Sequence, residues 1–334
     1  MRADSLTTTL GARGPLSAAA LDVLLGSSSR QDDVRFREAA QAVPEPLVDG
    51  DYQLALALCY EPHYRGLPGL DAVDEWDPAL LALRACLEQG FERALHRRCP
   101  TPGRLQRPVW DELASAVHEC EGPDLSGFLA RRATAEQVRQ WLRQKSVYHL
   151  READAHTWAI PRLRGPAKAA LVAIQADEYG GGRCERMHST MFADTLRAAD
   201  LDASYGAYWG CASAQTLASL NLISLLGLHR RLRGALAGHL AAFEMTSTEP
   251  NRLYARAVRR AGMGETAAAF FDEHVEADAV HEQLAAVDLC GALAEEEPDL
   301  GPQIVWGARC ALAVDADAAG ALLEQWHNTE ELAG

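Results

Sequence analysis

The stretch Asp272-Glu273-His274-Val275-Glu276-Ala277-Asp278-Ala279-Val280-His281 contains the spacing His-xxx-Asp-xx-His. On a helix turning about 100° per residue, positions 274, 278 and 281 fall within about 60° of one another, so two imidazoles and a carboxylate share one face. Such a face can bind a metal ion, and apolar Val275 and Val280 beside it argue against a merely solvated charged helix. Glu273 and Glu276 point elsewhere and are expected in water.

A second candidate group lies upstream, in Asp177-Glu178-Tyr179-Gly180-Gly181-Gly182-Arg183-Cys184-Glu185-Arg186-Met187-His188. Three consecutive glycines in a helical pattern cost roughly 1 kcal/mol each against alanine, which implies a local conformational need. A bend beside a metal would supply that need, and an ordinary interhelix turn is the plain alternative. Glu244 closes the apolar stretch 217–242, and Glu152 stands in Arg151-Glu152-Ala153-Asp154. Helical bundles that bind two metals through carboxylates draw their ligands from four core helices, because hard oxygens and imidazoles suit iron and shared carboxylates hold two cations close. The segments around Glu152, Glu178 to His188, Glu244, and His274 to His281 supply that number.

Ligands so far apart in sequence need long helices to gather them. Apolar residues recur at 3.6-residue spacing over 135–152, 166–179, 214–245, 266–290 and 302–326, while alternating β-branched runs are nearly absent, so the fold class is all-α. Residues 51–98 show the same periodicity, interrupted at Gly66 to Gly69. Pro100, Pro102, Gly103 and Pro108 mark a linker and place a boundary near residue 105. Residues 1–30 are rich in Ser, Thr, Gly and Ala and read as a weakly ordered lead-in. The expected organisation is therefore this lead-in, an N-terminal helical region over 31–105, and a catalytic domain over 106–334.

Composition narrows the partners. The 334 residues are 48% hydrophobic and 24% charged, ordinary for a folded protein, and the formal charge of -15 repels phosphate backbones and anionic lipid, so neither nucleic acid nor membrane is an expected partner. Residues 1–25 hold no uninterrupted apolar run, which leads us to expect neither a secretory signal nor a membrane span, and a cytoplasmic location. The eight cysteines contain no Cys-x-x-Cys pair and are expected to be reduced packing residues.

Over roughly residues 130–290 these motifs together resemble the haem-oxygenase-like di-iron oxidases, in particular bacterial proteins described as iron-containing redox enzymes. The resemblance implies a haem-oxygenase-like helical bundle with an additional N-terminal helical region that pairs subunits into a homodimer. It implies two ferrous ions held by Glu152, Glu178, His188, Glu244, His274, Asp278 and His281, with Glu152 the additional carboxylate and Glu244 a bridge. It further implies dioxygen as co-substrate and oxidation of a small molecule, and the seven-ligand pattern resembles the branch that oxygenates amine nitrogen. No Gly-x-Gly-x-x-Gly fingerprint for flavin or nicotinamide follows a strand, so electrons are expected from an external donor, ferredoxin-like or another reductant.

One ligand stays open between two residues. In a straight helix Glu178 and His188 stand about 15 Å apart, whereas Glu185 is one turn from His188 and forms Glu-x-x-His with it. Geometry alone favours Glu185, and the resemblance places the ligand at Glu178. Around these, His156 reads as a solvent-exposed loop residue, and His229 and His239 as capping or core histidines. Arg230, Arg231 and Arg233 could anchor a substrate carboxylate. Glu61-Pro62-His63-Tyr64-Arg65-Gly66 is expected to pack against the catalytic domain, or else to contact substrate, and Tyr179 and Tyr205 to line the pocket. Two other readings compete: a haem-binding or haem-degrading enzyme on the same scaffold, which leaves the carboxylates without a task, and a metal-free helical scaffold or binding protein.

Overall fold

A computed structural model describes residues 11–26, 32–68 and 74–333, and the side chains of all of these except 32–33, 277–279 and 329–333. Among the described residues all regular structure is helical. The principal helices are α1 (Pro15–Leu24), α2 (Asp32–Ala42), α3 (Gly50–Tyr60), α4 (Pro78–Arg98), α5 (Val109–Glu119), α6 (Leu125–Arg131) and α7 (Ala135–His149). They are followed by α8 (Gly165–Glu178), α9 (His188–Ala198), α10 (Ala214–Leu228), α11 (Arg233–Thr246), α12 (Thr248–Arg260), α13 (Gly264–Gln283) and α14 (Gly301–Ala333). No helix among the described residues is long and apolar enough to cross a membrane.

Local chemistry starts these helices. Thr134 and Gln137 form a reciprocal capping box that satisfies orphan amides at the head of α7. Asp49, Asp77 and Ser213 cap α3, α4 and α10 through side-chain oxygens on backbone amides. The apolar stretch 214–245 is not one helix: it breaks at His229, and a short turn at Arg230–Leu232 redirects the chain into α11. Beyond α13 the chain continues as a π-helical segment, Leu284–Gly291.

Packing then joins distant segments. Leu54, Leu58, Leu87 and Phe91 of α3 and α4 belong to the same buried apolar cluster as Leu225, Leu236 and Trp306. A second cluster gathers Trp141, Phe192, Phe270 and Phe271 around α7, α9 and α13. The lead-in departs from expectation over the residues described there, because α1 is a helix that buries Leu16, Ala20, Leu21 and Leu24. Its order comes from long-range contacts that composition does not reveal. Asp51 accepts from the amides of Leu16 at 2.9 Å and Ser17 at 2.8 Å, and Arg13 donates to the Ala212 carbonyl at 2.6 Å. All eight cysteines are free, with Cys59, Cys99, Cys290 and Cys310 buried.

Helices α11 and α14 cross at glycine. A Cβ at Gly238 would stand 1.8 Å from the Ile304 carbonyl oxygen, and one at Gly307 would stand 2.0 Å from that of Ala235. The two backbones therefore touch, which fixes the height and rotation of α11. Gly307→Ala or Gly238→Ala must push the helices apart, with an expected loss of about 1–3 kcal/mol or more from overpacking. The check is the urea midpoint of each variant, and an unshifted midpoint contradicts this account of the crossing.

Candidate metal centre

Breaks in helices gather the site. Helix α8 ends at Glu178, and Gly180, Gly181 and Gly182 follow with φ of 66°, 60° and 80°. This left-handed conformation favours glycine, and at Gly180 a Cβ would also stand 2.6 Å from the Arg186 carbonyl carbon. The turn brings the chain back so that α9 opens on His188, whose Nδ1 lies 2.9 Å from Glu178 Oε2. The straight-helix premise that favoured Glu185 does not hold, and Glu185 is exposed on the connecting turn.

Glu152 leaves the turn after α7, where Ala153 takes a φ of 72°. Glu244 sits in the last turn of α11, and His274 and His281 share a face of α13. Asp278 lies between them on α13, and its side chain is outside the described residues.

Six of the seven expected positions fall into two buried triads. Ligand-type atoms of Glu152, His188 and His274 lie within 4.8 Å of one another, and so do those of Glu178, Glu244 and His281. His274 Nε2 is 3.7 Å from Glu152 Oε1, and His281 Nδ1 is 3.5 Å from Glu244 Oε2. Glu178 spans the two groups, with Oε2 beside His188 and Oε1 at 3.9 Å from His281 Nδ1. The resemblance puts the bridge at Glu244, which meets His281, while Glu178 reaches a histidine of each group.

Neighbouring acceptors settle which nitrogens face inward. The Phe270 carbonyl lies 2.8 Å from His274 Nδ1, and a carbonyl only accepts, so Nδ1 carries the proton and Nε2 turns a lone pair to the triad. Asp177 Oδ2, 3.2 Å from His281 Nε2, orients that ring so that Nδ1 faces Glu244. Asp177 and His149, whose Nδ1 is 2.8 Å from Glu152 Oε1, were not marked as site residues from sequence. The available signals were the carboxylate adjoining Glu178 and the His-x-x-Glu spacing of 149 and 152.

Charge follows from this arrangement. Burial works against a charged His281, but Glu244, with Asp177 behind it, outweighs burial and lifts the imidazolium to about 9. His188 is raised in the same way, burial losing to the Glu178 carboxylate. Burial would raise Glu152, yet His149, through its charge and its N–H, holds it below the usual carboxylate range. Glu152 Oε2 is buried with no hydrogen-bond partner among the described residues, and His188 Nδ1 and His281 Nδ1 face the Glu178 and Glu244 carboxylates. Buried polar atoms are normally satisfied, so an orphaned carboxylate oxygen beside converging imidazoles fits a cation between them.

The triads open on a cavity of about 460 Å³, lined by Glu152, Glu178, Glu244 and His274 together with Tyr148 and Phe243. That volume suits a small molecule. Tyr179 and Tyr205 are not among its lining residues. Tyr179 donates to Asp154 at 2.9 Å and Tyr205 to Glu61 at 2.6 Å. Arg231 pairs with Glu92 at 2.6 Å and Arg233 with Glu297, which leaves no anchoring role for them at the cavity. Glu61 meets Arg151 at 3.0 Å, so its motif does pack on the catalytic half. His156 is the clearest departure: it is 2% exposed, lines the cavity and lies with Nε2 3.3 Å from Nδ1 of fully buried His239. His229 is half-buried against Glu88.

Known proteins share this framework. The family described as iron-containing redox enzymes matches residues 139–316, more than half of the chain, and the chain belongs to that family. A curated relative is the nitrosourea synthase of Streptomyces achromogenes subsp. streptozoticus, 26% identical over 198 residues. The match covers 59% of this chain and 42% of the relative, so the chain spans less than half the length of the protein it resembles.

The His156–His239 pair makes a pH prediction. Burial pushes His156 down to about 4 and His239 well below its ordinary value, so both stay neutral in the folded protein. The unfolded chain binds protons at these residues from about pH 6.5 downward, so stability present above pH 6.5 is lost as pH falls towards 4. His239→Leu should flatten that acid limb by up to about 1.4 kcal/mol per pH unit. Urea midpoints measured between pH 7 and 4 check this, and parallel limbs for variant and wild type contradict it.

Proposed function

From membership of the iron-containing redox enzyme family, we propose that this chain is a di-iron oxidase that uses dioxygen to oxidise a small molecule, with an amine nitrogen as the favoured target. Glu152, His188 and His274 would hold one iron ion and Glu178, Glu244 and His281 the other, with Glu178 between them. Asp278, placed by its spacing on the same helix face as His274 and His281, completes the expected set. The observation that carries this reading is the pair of buried triads joined through Glu178. The orphaned Glu152 oxygen and the hard oxygen-and-imidazole chemistry fit iron.

Ferrous ions bound there would supply reductive activation of dioxygen, with electrons from an external reductant. The protein's own contribution is positional and electrostatic. Phe270 and Asp177 fix the two α13 imidazoles with a lone pair facing inward. Glu152, Glu178 and Glu244, with Asp278, would set four negative charges against the four positive charges of two dications, leaving the cavity close to balanced for an uncharged reacting group. Phe243 and Leu240 line the approach and exclude water from it. An amine must lose its proton before its lone pair can react. Nitrogen as target is supported by the nitrosourea synthase relative, whose product name describes an oxygenated nitrogen.

The N-terminal helical region would complete a homodimer. Leu25, Val34, Val48 and Trp76, all exposed, fall in or beside it. Its Glu61–Arg151 ion pair ties it to the loop carrying Glu152.

Binding should release protons, because metal ligands must be deprotonated. His281, lifted to about 9, is charged at pH 7, so loading the Glu178–Glu244–His281 triad with cobalt(II) should expel close to one proton there and less above pH 9. Calorimetry in buffers of different ionisation enthalpy reads this number. His281→Ala and His188→Ala should each weaken metal binding at least ~10-fold and abolish oxygen-dependent turnover, and each should leave the apoprotein folded but less stable, because it removes an imidazole that offsets a buried carboxylate. A wild-type chain that binds fewer than two ions, or binds them without proton release at pH 7, contradicts the assignment.

A further inference from the structure

Glu152 is the ligand position with the least secure backbone, since it sits in a turn rather than on a helix. Its neighbours are held firmly. Arg151 bonds Glu61 at 3.0 Å and Ser224 at 3.1 Å, with its guanidinium 3.9 Å over the Tyr64 ring. Arg65 donates to the Leu150 carbonyl at 3.3 Å, and Gln175 to that of Ala153 at 2.8 Å. These contacts fix the main chain and leave the Glu152 side chain its own rotations.

His149 removes that freedom. A carboxylate accepts only, so the 2.8 Å contact means that His149 Nδ1 carries the proton and donates it to Oε1. The ring cannot swing away, because it is packed against Phe192, Tyr148 and Phe270 at centroid distances of 4.8, 5.0 and 5.1 Å. The second oxygen, Oε2, is buried and has no hydrogen-bond partner among the described residues. One oxygen is thus engaged by the protein, and the other keeps its lone pairs.

We propose that His149 is a positioning residue whose Nδ1–H pins Oε1 of Glu152 and so holds that carboxylate toward a metal ion shared with His188 and His274. This rests on the metal reading above and adds to it a group outside the ligand set. Without the pin, the carboxylate can rotate away from the neighbouring Glu178 charge, and the ion in that triad loses a preset ligand. Asparagine tests the idea directly, because its side-chain amide can place an N–H near the position of Nδ1 but cannot replace an imidazole as a ligand. Leucine removes the donor while keeping an apolar side chain in the aromatic cage.

The experiment titrates cobalt(II) into the full chain and follows its visible absorption, for wild type, His149→Asn, His149→Leu, Glu152→Gln and the double variant that combines His149→Leu with Glu152→Gln. Expected is roughly ten- to hundredfold weaker binding of one of the two ions in His149→Leu, with the other ion and the His149→Asn variant staying within about threefold of wild type. In the Glu152→Gln background the leucine substitution should cost nothing further, since the two act through one oxygen. Should His149→Leu not fold, His149→Phe takes its place, extending the aromatic cage. Equal loss in His149→Asn and His149→Leu, unchanged binding in His149→Leu, or a full extra loss in the Glu152→Gln background overturns the proposal. A wild-type chain that binds no cobalt overturns the metal reading itself, and the positioning role with it.

Discussion

Three carboxylates, Glu152, Glu178 and Glu244, are each no more than 10% exposed and converge on one end of a cavity. Like charges so placed repel, and burial removes the water that would screen them, so the fold holds them together only with compensating positive charge. In the metal-free protein the compensation comes from imidazoles: Glu178 raises His188, and Glu244 lifts His281 to about 9. Two dications would replace those protons. The same repulsion thus explains why the histidines are where they are and why the site is poised for metal.

Bringing the carboxylates together demands interruptions at defined places. The left-handed glycines after Glu178 bring the start of α9 back beside the end of α8, and Ala153 turns the chain beside Glu152. The break at His229 frees α11 to cross α14 at Gly238 and Gly307, where backbones touch. Arg151 ties the Glu152 turn to Glu61 of the N-terminal region, so a region remote in sequence helps hold a ligand position.

Sequence periodicity made the helices legible, and with them the shared face of His274 and His281, because both depend only on the 3.6-residue repeat. The pairing of Glu178 with His188 was less legible. Spacing along a straight helix pointed to Glu185, and only the φ values of the glycines show that no straight helix exists there. Pro161 nearby makes His156 look like a loop residue, yet burial depends on what packs over a segment, here His239 from α11. Helix α1 was hidden for the same reason, since Asp51 and Ala212 order it from far along the chain. His149 and Asp177 are legible only as His-x-x-Glu spacing and as a carboxylate beside Glu178, patterns that surface helices share, and their contacts with Glu152 and His281 come from the fold.

The central claim is that two metal ions lie in the two triads. Anomalous diffraction at the iron edge, from crystals of the full chain loaded anaerobically with ferrous iron, tests it most directly. The account predicts two peaks about 3.5–4 Å apart, one bonded to Glu152, His188 and His274 and the other to Glu178, Glu244 and His281. A single peak, or peaks bonded to other residues, would contradict it.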